Sequence, residues 1–358
     1  MSKRNRRARR HSPARAVAAP SRIRPGIVAA LGGAAVLGGL AFLSHRQAKQ
    51  AERDHPPAGS FVEVDGVRLH YIERGSGPPL VLLHGNGATL DDFETSGLLD
   101  LAARSYRVIA FDRPGFGHSE RPRSTIWTAA AQADLLHEAL AQIGVPRFLL
   151  LGHSWGASVA AALALDHPDA VEGLILASGY HYPSVRFDAP ALSGPAIPVL
   201  GDVLRYTVSP FAARLIWPVL MRKIFGPDAT PRDFEAAVKE LALRPSQIRS
   251  SAAESALMIP AAFANHERYG ELRMPVGIVV GGEDRLIKAA PQSGRLADEL
   301  PGAVLRVVPG AGHMVHHTAP EQVLAVIAEV AELAAADAPE RSPEPARTTR
   351  TEPLAAAL

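Results

Sequence analysis

The sequence predicts an α/β fold: a doubly wound, mostly parallel sheet with a helical insertion late in the chain. Three observations carry this. Apolar runs of strand length alternate with segments of helical spacing over most of the 358 residues. The central runs are apolar throughout, as strands covered on both faces require. One stretch, residues 183–269, breaks the rhythm with Pro and Gly punctuation and helix-like segments. Hydrophobic residues make up 47% of the chain and charged residues 21%, enough apolar content for a large core.

The elements follow in order. FVEV and VRLHYIE flank Asp65-Gly66, a hairpin signature. PLVLLHG, YRVIAFD, FLLLGHS and GLILASG are the central strands, with helical spacing at 128–143 and 157–166 between them. In the insertion, 211–225 and 232–243 read as helices, and Pro218 should kink or split the first. Phe211, Leu215, Ile216, Val219 and Leu220 share a helical face that would pack the insertion onto the body or line an apolar channel. VGIVVGG and AVLRVVPG resume the sheet, and a last helix fits 320–335. The α/β domain therefore spans 60–335, and the Pro-, Glu- and Arg-rich tail at 336–358 reads as disordered.

The N-terminus is separate. Residues 1–24 hold nine Lys/Arg and no Asp/Glu, so the overall charge of +2 conceals a mildly acidic body. That argues against a nucleic-acid-binding body. Residues 25–44 carry no charge and are largely apolar. A cleaved signal peptide would want a small-x-small site after this run, where Ser44-His45-Arg46-Gln47 stands instead. A buried helix would not carry nine flanking cations. The expectation is an uncleaved single-pass transmembrane helix, followed by a linker at 45–59. The excess of cations before it would place the body on the non-cytoplasmic side. The chain has no cysteine, which excludes disulfides, thiolate metal sites and a Cys nucleophile.

The chemistry-bearing residues lie at strand ends. Gly152-His153-Ser154-Trp155-Gly156 joins a strand to a helix, a sharp turn that would expose Ser154 above the sheet. A serine needs a base. His313, in a Gly-rich loop past the last strand, is the candidate, with His316 and His317 as competitors. The base needs a carboxylate, and Asp284, just past the penultimate strand, is better placed in chain order than its neighbour Glu283. A turn-forming role would explain a lone Asp in a Gly-rich segment; the order Ser154, Asp284, His313 overrides it. Backbone N–H groups of Asn86, in His84-Gly85-Asn86-Gly87, and of Trp155 are candidate oxyanion donors. There is no phosphate-binding glycine loop followed by Lys. His316 and His317 are adjacent rather than spaced as metal ligands, so neither cofactor nor metal is expected.

HGNG, DRPGFGHS, GHSWG, GGEDRL and PGAGH, in this order and rough spacing, resemble the α/β-hydrolase fold family across about 61–335. The resemblance implies that 183–269 is the cap over the active site and that the loop 112–119 is mainly structural. Dehalogenases and epoxide hydrolases with such a cap use an Asp nucleophile where Ser154 stands, which argues against both. The expected function is a membrane-anchored serine hydrolase acting on a small-molecule ester, of apolar acyl or aryl type. The same triad would serve a cofactor-free perhydrolase or a C–C hydrolase, and a non-catalytic ligand-binding protein could use the same fold.

Overall fold

A computed structural model of the chain describes residues 24–186 and 192–337. The basic tail up to residue 23, Phe187 of the cap and the tail from residue 338 lie outside the described residues. The chain divides into two compact units, residues 1–39 and 40–358.

The first helix, α1 (Pro25–Asp54), runs for 30 residues. It corrects the expected membrane anchor: no helix among the described residues is long and apolar enough to cross a membrane. The physical reason is visible in its composition. Gly32, Gly33, Gly38 and Gly39 add no apolar side chain, and the helix runs on into Arg46, Lys49, Glu52, Arg53 and Asp54. The single-pass topology, the membrane as partner and the placement of the body across it fall with this finding. Residues 45–54 are helical rather than an extended linker; Ser44 and Ala51 are buried, and Glu52 lies 3.4 Å from Arg244.

The sheet has eight strands: β1 (Ser60–Val64), β2 (Val67–Arg74), β3 (Pro79–Leu83), β4 (Arg107–Phe111), β5 (Phe148–His153), β6 (Val171–Ala177), β7 (Val276–Gly281) and β8 (Val304–Val308). Their order is β1-β2-β4-β3-β5-β6-β7-β8. β1 and β2 pair antiparallel through a turn at Asp65 (φ 48°) and Gly66 (φ 74°), and β2 is antiparallel to β4. Every other pairing is parallel.

Helices cover both faces. The short α2 (Asp91–Thr95) and α3 (Leu98–Ala102) bury Phe93, Leu98 and Leu99 against one face. α4 (Ala129–Gln142), capped by the Thr128 side chain, and α5 (Trp155–Asp166) cover the other. α5 is buried along nearly its whole length, which explains its run of Ala and Val: only small side chains fit between the sheet and the neighbouring helices.

Between β6 and β7 lie α6 (Leu200–Tyr206), α7 (Ser209–Phe225), α8 (Arg232–Ala242) and α9 (Pro245–His266). α7 runs continuously through Pro218 rather than splitting there. Its packing face also differs from the expected one. Trp217, Met221 and Phe225, four residues apart, pack with Phe234, Val238, Leu243 and Met314, while Leu215, Ile216 and Val219 are exposed. Both stripes are apolar at helical spacing, so periodicity alone could not choose between them. After β7 come α10 (Arg295–Glu299), α11 (Val315–Thr318) and α12 (Pro320–Asp337), the last burying Val323, Val326, Ile327 and Val330 on the α2 and α3 side of the sheet.

The register fixes where the site sits. Leu83 is level with Phe111 and Gly152, His153 with Ala177, and Gly281 with Val308. The loops leaving β3, β4, β5, β7 and β8 therefore emerge on one edge, the carboxyl edge where open parallel sheets bind ligands.

Candidate active site

Ser154 occupies the turn between β5 and α5 with φ 53° and ψ −115°, a conformation that costs an L residue about 1–3 kcal/mol. Its neighbours permit it. A side chain at Gly152 would run into the Gly156 carbonyl, and one at Gly156 into the carbonyls of Leu83 and His84. Ser154 N–H is fixed to the Ala177 carbonyl at 2.8 Å.

The structure brings together the three residues that sequence order selected. Ser154 Oγ lies 3.0 Å from His313 Nε2, and His313 Nδ1 lies 2.7 Å from Asp284 Oδ2. Asp284 Oδ1 accepts hydrogen bonds from the backbone N–H of Leu286 at 2.7 Å and Ile287 at 2.8 Å. Both the His313 and Asp284 side chains are buried. Glu283 is exposed. His317 is turned the other way, its Nε2 2.7 Å from Asp92 Oδ1.

Asn86 and Trp155 flank this array. Trp155 is the first residue of α5, so its N–H has no acceptor within the helix. Asn86 follows Gly85, where a Cβ would press to 3.2 Å from Ser154 Cβ and 3.1 Å from His153 Nδ1. Asn86 Nδ2 donates to the Ser251 carbonyl at 3.1 Å and to Ser255 Oγ at 3.3 Å, tying this loop to α9 of the cap.

Beneath the loop lies a network whose members Gln132 and Glu254 no motif announced. Arg113 is fully buried. Its Nε donates to the His84 carbonyl at 2.7 Å and its Nη2 to the Gly85 carbonyl at 3.0 Å. Nη1 also donates to Gln132 Oε1 at 2.9 Å. Both oxygens of Glu254, on α9 and itself fully buried, complete the pairing at 2.5 and 3.0 Å. His84 Nε2 accepts from Arg113 N–H at 3.0 Å while Nδ1 faces the Gly85 carbonyl at 2.8 Å, so the ring is held as the neutral Nδ1–H tautomer. The loop 112–119 is braced by Asp112, which accepts from Leu90 N–H and His118 N–H, each at 2.9 Å, and sits 2.7 Å from His70 Nδ1. Gly117, at φ 51°, has to be glycine because a Cβ there would occupy the Asp112 carboxylate.

A second cluster sits behind Ser154. His153 Nε2 donates to the His313 carbonyl at 3.1 Å, joining the turn to the loop that carries His313. Asp92, His153 and His316, all buried, bring one ligand atom each to within 4.8 Å of one another, donor types that a zinc-class ion uses. This group could hold such an ion, and adjacency in the sequence gave no hint of it, because Asp92 comes from α2 and His153 from the end of β5. Burial and the neighbouring His316 and His313 rings keep His153 neutral. Burial alone would raise the Asp92 carboxyl; the His316 and His317 rings outweigh it and hold it well below the usual carboxylate range.

The buried imidazoles give a pH prediction. Burial, with the Arg113 charge adding to it, pushes His84 down to about 3, and burial alone does the same to His181. In the unfolded chain both would protonate near 6.5. Their contribution to stability is therefore full above about pH 6.5 and is lost as pH falls toward 3. Asp91 acts oppositely: burial and then Asp112 raise it to about 6, so its contribution is lost as pH rises through that value. With two histidines against one carboxylate, the melting temperature should fall steadily as pH is lowered from 6.5. A flat melting temperature between pH 7 and 5 would show that these rings are not held neutral.

A serine turn linked to a loop histidine and a buried aspartate, on the carboxyl edge of a mostly parallel eight-stranded sheet, defines the class of α/β hydrolases. The chain belongs to the alpha/beta hydrolase fold family, whose profile matches residues 78–320. It is 27% identical over 286 residues to haloalkane dehalogenase 2 of Mycobacterium tuberculosis (strain CDC 1551 / Oshkosh), covering 77% of this chain and 95% of that protein. It is 32% identical over 136 residues to 2-hydroxymuconate semialdehyde hydrolase of Pseudomonas sp. (strain CF600), covering 37% of this chain and 48% of that protein. Among solved structures, a thermophilic esterase from Thermogutta terrifontis shares the fold with a TM-score of 0.64 at 22% identity, over 77% of this chain and 99% of that one.

Proposed function

We propose that this hydrolase cleaves a carboxylic ester, or a closely related carbonyl compound, through an acyl-enzyme intermediate. The observation that carries the reading is the continuous chain of contacts from the Leu286 and Ile287 amides through Asp284 and His313 to Ser154 Oγ. In this reading Ser154 Oγ attacks the carbonyl carbon while its proton passes to His313 Nε2. Asp284 holds the ring with Nδ1–H toward it and stabilises the imidazolium. The N–H groups of Asn86 and Trp155 receive the developing oxyanion. The alcohol leaves with the proton from His313. A water activated by the same ring then releases the acid.

The haloalkane dehalogenase relatives argue for a hydrolase of this fold, but the serine at residue 154 favours acyl chemistry over displacement of a halide. A second reading, C–C bond hydrolysis on the same three residues, is favoured by the similarity to the semialdehyde hydrolase. For the substrate, the supporting feature is an apolar cluster of Tyr180, Ala262 and Ile287 with Met258 and Leu286, which packs α9 over the segment just past Asp284. An apolar acyl or aryl group suits it. A fluorophosphonate probe should label the protein, and p-nitrophenyl esters of medium chain length should turn over faster than small charged esters. Faster turnover of the charged esters would overturn the apolar preference. Release of halide from haloalkanes without any esterase activity would overturn the ester reading itself.

A further inference from the structure

Away from Ser154, Asp284 and His313, a cavity of about 660 Å³ opens between the loop 115–123, the start of α9 and the end of α1. Its volume is in the range of small-molecule sites. Six arginines line it (Arg68, Arg121, Arg123, Arg205, Arg244 and Arg249) against two carboxylates, Glu52 and Glu120.

Three of the arginines are not a solvated fringe, whereas Arg68 and Arg123 are exposed and Arg249 is half-buried. Arg205 and Arg244 are 7% and 6% exposed, and the Arg121 side chain is 5% exposed. Carboxylates outside the lining do not balance them. Asp202 is shared by Arg123, at 2.5 Å, and Arg205, at 2.9 Å. Glu254 is already taken by Arg113 and reaches Arg121 only at 3.7 Å. Glu52 stands 3.4 Å from Arg244, and Glu120 accepts from the backbone N–H of Arg68. The Arg249 side chain makes no hydrogen bond or ion pair among the described residues. Even with Asp202 and Glu254 counted, six cations face four anions.

Burying like charges this way is costly unless an anion joins them. The strain shows in the groups themselves: burial lowers Arg121 to about 10, and burial, with Arg123 and Arg205 adding to it, lowers Arg249. The first turn of the 22-residue α9 adds its own partial positive charge, since Arg244, Ser246, Arg249 and Ser250 all line the cavity.

The geometry points to a binding site for a small, multiply charged oxyanion, a phosphate ester or polycarboxylate carrying two or more negative charges. The arginine forks suit its oxygens in pairs, and the Arg249 guanidinium, like that of the more exposed Arg68, has no carboxylate partner among the described residues and can take it. Recognition at this cavity does not depend on the ester-hydrolysis reading, because none of the residues in that reading lines it.

The test is calorimetric titration of the full chain with inorganic pyrophosphate and, separately, with citrate, at low ionic strength. Saturable one-to-one binding of either, weakening as NaCl is added, is expected. Pyrophosphate alone would identify a phosphate site, and both together a general polyanion site. Arg249→Ala should weaken binding at least tenfold, and Arg249→Lys by less, because a charge-assisted hydrogen bond is lost in the first and partly kept in the second. Should Arg249→Ala fail to fold, Arg123→Ala, whose side chain is 54% exposed, reads the same loss. The proposal is overturned if neither anion saturates by millimolar concentration, or if the folded variants titrate like the wild type.

Discussion

Replacing Ser154 with alanine should abolish fluorophosphonate labelling and lower kcat by about four to six orders of magnitude, with the fold intact. The side chain removed is a single hydroxyl, and the turn itself is held by contacts that do not involve it: the Ser154 N–H to Ala177 bond and the Gly152–Gly156 packing. Alanine accepts φ 53° no more easily than serine does, so the melting temperature should change little. His313→Ala should cost nearly as much, and the double variant hardly more than either, because a base without its nucleophile does nothing. Asp284→Asn should also be severe, since the amide can present N–H to the ring and favour the wrong tautomer. If Ser154→Ala labels as well as the wild type, the nucleophile lies elsewhere. If His316→Ala is the damaging change and His313→Ala is silent, the base has been misassigned.

The second large effect is on stability. Glu254→Met should lower the melting temperature by roughly 10 °C, because it leaves the fully buried Arg113 guanidinium unpaired, a loss of about 3–5 kcal/mol. Arg113→Met should be comparably damaging, as it strands the Glu254 carboxylate and frees the His84 and Gly85 carbonyls. The double variant Arg113→Met/Glu254→Met should recover part of the loss, since the closely bonded pair is then removed together and only the 3.7 Å contact of Arg121 with Glu254 is given up. In the single variants kcat should fall more than KM rises, because Arg113 holds the His84 and Gly85 carbonyls that immediately precede Asn86. Single variants melting within about 2 °C of the wild type would contradict this account.

How much of this was legible follows from where the information lies. The turn at 152–156, the loop at 281–285 and the loop at 309–313 each announce themselves by an apolar run that leads into glycine, so Ser154, Asp284 and His313 could be picked out and ordered. The strands could be read because each is a short apolar run between turn signals. Glu254 could not be found this way. It is one acid among the polar residues of a cap helix, 141 positions from Arg113, and only folding reveals that it is buried. Asp92 was hidden for the same reason: its partners His153 and His316 come from distant elements, the end of β5 and α11. The packing face of α7 was misread because Leu215 and Val219 follow the same spacing as Trp217 and Met221. The N-terminal segment was misread because freedom from charge resembles apolarity when glycine is abundant.

The Arg113–Glu254 pair also limits how the molecule can be altered. Caps of this fold invite exchange, since they enter and leave the sheet between two strands and look separable. Here the seam is not where the chain crosses it. Glu254, Ser251 and Ser255 belong to the cap by position in the chain, yet they complete the bonding of Arg113, Asn86 and Gln132 in the body. A graft that replaced 183–269 wholesale would leave a charged guanidinium in the interior and a loosened loop beside Ser154, whatever specificity the new cap carried. A transplantable unit has to keep α9 with the body, or bring Arg113, Gln132 and the 84–86 loop along with it. Swaps confined to α6–α8 would leave that bonding whole.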